Sequence, residues 1–482
     1  MNITNPFLQG PYEPLGNEYN IDAVKVIGEI PKELKGTLYR TGSNVEYILN
    51  DPNRFHWFDG DGMVHAFRLE NGKVSYRNRW VETEGLKVER AAGKQLYNGI
   101  FGRSEQPQEP LPEGAPKIKT VAGINVIQLG KRLLTMHEAE HYYWELDPIT
   151  LETINTFNFD GEVMGMLTGH PHFDPLTNEW IFYSLDNEKN FVLCFTTDIT
   201  GKVISKHKVP MNFTPWNHDV IFSQDYFIFF FGMISWRPHA EDRVPMGKSS
   251  WFYDPAGGKD AKILFVHRKT GKATWLYPEN SPYMIGHFLN AYQDGENTIV
   301  DATVTPVSGA LEAFNPEDYY PFPLVSGPAA FKNPELWRFN INLATGTINH
   351  QRVGEFNAEF VRPNETIMGT QHRYGYMAGM HEPGPDTKGF NCLIKHDYET
   401  GKTQFQHLAD YDLTPGEPIF VPHPEAMTED HGWILTIWYD PKRNASELII
   451  QDAQRFDAEP IARVRLDHHI PLGFHGNWIQ DI

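Results

Sequence analysis

Two cysteines in 482 residues, Cys194 and Cys392, provide neither a disulfide framework nor a thiolate metal site. That scarcity favours a reducing compartment, so the chain is expected in the cytoplasm. Basic residues are also few: 42 Lys+Arg against 62 Asp+Glu leave a formal charge of −20, which repels phosphate and excludes nucleic acid as the leading partner. No apolar run is long enough to cross a bilayer, since the longest, Tyr226 to Trp236, has about half the length that a spanning helix needs. Residues 1–20 have neither the basic nor the apolar region of a secretory signal.

What the chain does have is turn formers and large apolar side chains. Forty Gly, 35 Pro and 13% aromatic residues favour β structure over helix bundles. From about Val24 onward the period is that of short strands joined by polar turns, as in RLENGKVSYRNRW, WELDPITLETINTF, FTTDITGKVISKHKV, VHRKTGKATWLY, FNINLATGTINHQRV and KHDYETGKTQFQHL. Such hairpins recur over almost the whole length with no linker between them. This is the pattern of an all-β propeller of six to eight blades, expected as one domain over residues 1–482. Proline-rich stretches around 104–117, 233–260 and 305–335 are too long for tight turns and are expected to form a cap over one face.

Four histidines share a context beside strand-like runs: His170 in TGHPHFDP, His218 in PWNHDVIF, His287 in IGHFLNAY and His475 in GFHGNW. If separate blades each send one imidazole to the axis, the set suits Fe, Zn, Cu or Ni. A competing signal is HEAEH, His137 to His141, which fits the pattern of a zinc hydrolase in which two His one helical turn apart bind the metal and the Glu acts as base. It works only on a helix, and its flanks read as strands. FDGDGM is more simply a tight turn than an ion loop. Met233, Ile234 and Trp236 could form a patch dipping into a membrane surface, against the plainer reading of a buried strand and loop.

Taken together and in order, KGTLYRTGSN, FHWFDGDGMVHAF, the four histidine contexts, GEPIFVP, HGWILTIWYD, SELIIQDAQ and HHIPLGFHGNW resemble the carotenoid cleavage oxygenases over nearly the whole chain. The resemblance implies a seven-bladed β-propeller with a loop and helix cap, and a ferrous ion, Fe(2+), held on the axis by His170, His218, His287 and His475. It implies that Glu138, Glu359 and Glu417 accept hydrogen bonds from three of those imidazoles. It further implies that both atoms of O2 add across a C=C bond of an apolar small molecule to give two carbonyl products, with no residue serving as nucleophile or general base and no obligate protein partner. AAGKQLYNGIFG, ELWRFNIN and the C-terminal run look most like the apocarotenoid oxygenases. The stilbene-cleaving branch holds a substrate phenol with a Tyr and a Lys at positions that match Ile100 and His137 here. Ile127 matches a position near the iron that can carry a small polar residue. A stilbenoid or phenylpropenoid substrate, the zinc hydrolase and a non-catalytic binding propeller are the alternatives.

Overall fold

The computed structural model describes residues 5–480, apart from 49–51, 53–54, 98–109, 139, 187, 214–215, 233, 237–250, 254–259, 280, 282, 307–333, 383–389 and 409–413. Of the strands Ile234–Trp236 and Trp251–Tyr253 only the backbone is described. Ile100, Met233, the side chains of Ile234 and Trp236, and most of the three expected cap insertions therefore lie outside the described residues.

The repeating unit is a meander of antiparallel strands, and a local turn sets each return. Between Gly62–Glu70 and Lys73–Trp80 the chain reverses through Asn71 and Gly72, both at positive φ (52° and 72°), the backbone that a two-residue hairpin demands. A longer turn recurs in other blades. The side chains of Asp147, His267, Asn342, Asp397 and Asp440 each accept the backbone N–H groups two and three residues on. Four residues on, Leu151, Gly271, Gly346, Gly401 and Asn444 take positive φ. Strands alternate accordingly: Lys73–Trp80 buries every second side chain.

Seven blades result. The first runs from the outer strand Asn20–Ile21 through Lys73–Trp80, Gly62–Glu70 and Gly36–Ser43 to Gly476–Ile479, supplied by the C-terminus. The second holds Asn125–Leu129 to Thr153–Phe157, the third Met166–Leu167 to Val203–Pro210, and the fourth Ile221–Phe222 to Ala273–Leu276. The fifth and sixth share one strand, Thr347–Arg362, whose first part pairs with Glu335–Asn342 and whose last part pairs with Tyr374–Met380. The seventh starts at Thr414–Pro415 and Ile419–Pro422, and Lys25–Gly28 from the N-terminus completes its outer edge. The ring is thus closed by backbone hydrogen bonds at both ends of the chain.

One α-helix is described, Glu84–Ala92, capped by the Thr83 side chain on Leu86 N–H and ended by Gly93 at φ 66°. No helix among the described residues is long and apolar enough to cross a membrane. Both cysteines are buried free thiols.

Candidate metal centre

Each blade contributes one of the seven residues singled out in the sequence. His475 immediately precedes the inner strand of the first blade, Glu138 follows Arg132–Met136 in the second, and His170 lies between the two inner strands of the third. His218 precedes the inner strand of the fourth, His287 is within the inner strand Tyr283–Asp294 of the fifth, Glu359 is in the shared strand and Glu417 is at the start of the seventh.

The imidazoles meet. Ring centroids are 4.4 Å apart for His170–His218, 4.6 Å for His170–His475, 4.7 Å for His287–His475, 4.9 Å for His218–His287 and 5.1 Å for His170–His287. One nitrogen from each of His170, His218 and His287 lies within 4.8 Å of the other two, with His218 Nε2 and His287 Nε2 3.1 Å apart.

Three carboxylates sit at the Nδ1 atoms of His218, His287 and His475. Glu138 Oε1 is 2.5 Å from His218 Nδ1 and 3.4 Å from His170 Nε2. Glu359 pairs with His287 Nδ1, and also accepts the Phe360 N–H at 2.6 Å and the Thr303 hydroxyl at 2.5 Å. Glu417 accepts His475 Nδ1–H at 2.8 Å and the Gly476 N–H at 3.0 Å, with Arg362 at 3.2 Å and Arg40 at 3.3 Å. Burial favours the neutral acids, but the imidazoles outweigh it and hold the carboxyl groups of Glu138 and Glu359 below their usual range. Burial, helped by the neighbouring rings, pulls His170 down to about 4 and His475 well below its usual value. At His287 burial also acts downward, yet Glu359 outweighs it and raises the imidazole to about 9.

This donor set fits a divalent transition metal. His170 Nε2 is buried without a hydrogen-bond partner. Giving an Nδ1–H to a carboxylate leaves Nε2 as a free lone pair, the form in which imidazole ligates. HEAEH does not form a helix: its described residues lie in a turn after Arg132–Met136. His137 Nδ1–H donates to the Glu138 carbonyl at 2.8 Å and His141 Nδ1–H to the Gly165 carbonyl at 2.9 Å, so the spacing that a zinc hydrolase needs is not formed. FDGDGM is a 3₁₀ turn, Trp57–Asp59, leading into a strand, and Asp61 pairs with Lys119 at 2.5 Å.

Two surroundings adjoin the imidazoles. A cavity of about 100 Å³ with a mixed polar and apolar lining is bounded by His170, His287 and His475 with Asn125, Ile127, Asp219 and Arg362 among others, and Ile127 itself is 1% exposed. The second is aromatic. Phe360 stacks on His287 (centroids 5.7 Å apart, 22° between planes) and meets His475 edge-on at 5.4 Å, within a cluster that includes Trp57, Phe390, Phe474 and Ile124.

Several residues of the centre escape a sequence reading. Gly169 and Gly286 precede His170 and His287; a Cβ on Gly286 would lie 2.0 Å from Glu359 Oε1, and one on Gly169 would lie 3.0 Å from Glu138 Cγ. The repeated Gly-His pair is a signal that could have marked both. Arg40, Thr303 and Arg362 carry no such signal, because only the fold brings them to the glutamates.

The model of the retinal pigment epithelial membrane protein family, RPE65, matches residues 12–480. The chain is 29% identical to apocarotenoid-15,15′-oxygenase of Synechocystis over 97% of its length and 95% of the relative's. It is 26% identical to isoeugenol monooxygenase of Pseudomonas nitroreducens over 99% of both chains, and 27% identical to resveratrol cleavage oxygenase 1 of Aspergillus fumigatus over 98% and 95%. Cobalt-substituted Synechocystis apocarotenoid oxygenase superposes with a TM-score of 0.86 at 28% identity, covering 98% of each chain. The chain is therefore an oxygenase with a seven-bladed propeller, and it belongs to the RPE65 family of carotenoid oxygenases.

Proposed function

We propose that this protein is a non-heme iron(II) dioxygenase that cleaves a C=C bond of an apocarotenoid or carotenoid with O2 to give two carbonyl products. The convergence of His170, His218, His287 and His475, with Glu138, Glu359 and Glu417 on their outer nitrogens, carries the reading. Those four imidazoles would hold the ion. When bound, a ferrous ion supplies the electron chemistry that lets O2 react with an electron-rich double bond.

The remaining tasks fall to the chain itself. Glu138, Glu359 and Glu417 fix ring tautomer and orientation, so that Nε2 faces the centre. Phe360 and the aromatic cluster around it exclude water beside His287 and His475, and their π faces stabilise positive charge that develops on a polyene. No side chain is needed as nucleophile or general base. The small-molecule substrate and O2 are the partners of this reading. It treats residues 1–482 as one catalytic domain in the cytoplasm, touching a membrane surface peripherally when it collects an insoluble substrate.

A stilbenoid or phenylpropenoid substrate is the second reading, motivated by the similarity to enzymes named for isoeugenol and resveratrol. Assay of iron-loaded protein against apocarotenals, carotenoids and stilbenes under ¹⁸O2 tests both. Label in both carbonyl products from an apocarotenal supports the proposal. Turnover of stilbenes alone selects the second reading, and no oxygen uptake with any of them refutes both.

A further inference from the structure

Asp219 is buried and follows His218 directly in the chain, yet its carboxylate bonds lead elsewhere. Oδ1 accepts the Val220 N–H at 2.7 Å and the His172 Nε2–H at 2.9 Å, and Oδ2 accepts the Phe288 N–H at 2.9 Å. Its own carbonyl is held by the Asn217 side chain at 2.5 Å. Phe288 follows His287, and His172 lies two residues after His170. One carboxylate thus joins the third, fourth and fifth blades beside the three imidazoles whose nitrogens lie within 4.8 Å of one another.

The need for it is local. The strand Tyr283–Asp294 loses register with its neighbour between Ile285 and Phe288, so the sheet ladder does not fix the backbone at His287. Two side chains do so instead: the Thr303 hydroxyl accepts the His287 N–H at 2.8 Å, and Asp219 accepts the Phe288 N–H.

We infer that Asp219 is a positioning residue of the centre, holding His218 and His287 at the separation that a divalent metal requires by bonding their main-chain neighbours rather than the imidazoles. The inference rests on the proposed metal centre. Asparagine is a poor substitute, because its single oxygen accepts on one side only and its NH2 would face an N–H donor on the other.

The test is a Co2+ titration of metal-free protein followed by visible absorption, alongside thermal melts of the metal-free forms. Asp219→Asn is expected to weaken Co2+ binding about 10 to 100-fold and to alter the ligand-field bands. Asp174→Asn, which breaks a buried pair with Arg268 between the third and fourth blades, should lower Tm while binding Co2+ as the wild type does. Wild-type affinity and bands in Asp219→Asn overturn the inference, whatever its Tm. Should that variant fail to fold, His172→Phe, which removes one donor to Asp219, is expected to weaken Co2+ binding several-fold, and unchanged affinity overturns the inference equally. A wild type that binds no Co2+ would instead sink the metal centre itself.

Discussion

The two glutamates of HEAEH divide the labour that a zinc reading would assign to one. Glu138 turns to His218 and His170, whereas Glu140 accepts the N–H groups of Val121 and Ala122 at 2.9 and 3.2 Å and the Trp144 indole at 3.2 Å. Burial pushes the Glu140 carboxyl up to about 8, the three donors opposing it only in part. A folded carboxyl that keeps its proton to about pH 8, against near 4.5 when unfolded, makes the folded state bind more protons between those values, so this group destabilises the fold as pH rises. Glu140→Gln should therefore gain relative to wild type, by up to about 1.4 kcal/mol per pH unit between pH 5 and 8. Denaturant melts at several pH values check this, and a difference independent of pH would contradict it. At Glu417 the expectation is loss. Glu417→Gln cannot satisfy His475, Gly476 and two guanidiniums together, and iron affinity measured by competition with a chelator should fall about 10 to 100-fold, against no change if the carboxylate is incidental. Single residues were legible where chemistry restricts their type, as for the four histidines. The arginines and Thr303 were not, since their role depends on partners 55 to 377 positions away.

Elements place these groups by departing from regularity. The shared strand Thr347–Arg362 shifts register between Glu359 and Arg362, with Phe360 at φ 55°, a conformation that a bulky residue adopts only when its surroundings enforce it. That irregularity turns Glu359 to His287, Phe360 onto two imidazole rings and Arg362 to Glu417. Gly286 serves the same end by omission. Gly286→Ala keeps an ordinary backbone yet places a methyl carbon where the Glu359 carboxylate sits. Iron retention in that variant should fall at least about 10-fold while the fold persists, as circular dichroism and metal analysis together would report; full retention would show that Glu359 is free to shift. The hairpins and their turns were readable from Asn-Gly and Thr-Gly signals. Register breaks were not, because alternation predicts a regular ladder and says nothing of where it fails.

At the scale of the whole molecule, the seven blades converge on one axis with one contribution each, and the ring is closed by strands from both termini. The sequence pattern bounded the count to six to eight blades and its resemblance to the carotenoid cleavage oxygenases implied seven. It could not reveal that the fifth and sixth share a strand, or that Lys25–Gly28 completes the seventh, because both depend on contacts across the ring. The expected cap insertions lie largely outside the described residues, which leaves the substrate to be read from chemistry at the centre. Metal analysis of purified protein and five single alanine variants tests the central claim most directly. The account predicts one iron per chain in the wild type and in His137→Ala, and loss of iron in each of His170→Ala, His218→Ala, His287→Ala and His475→Ala. Iron retained in any of those four, or a zinc ion lost with His137, would contradict it.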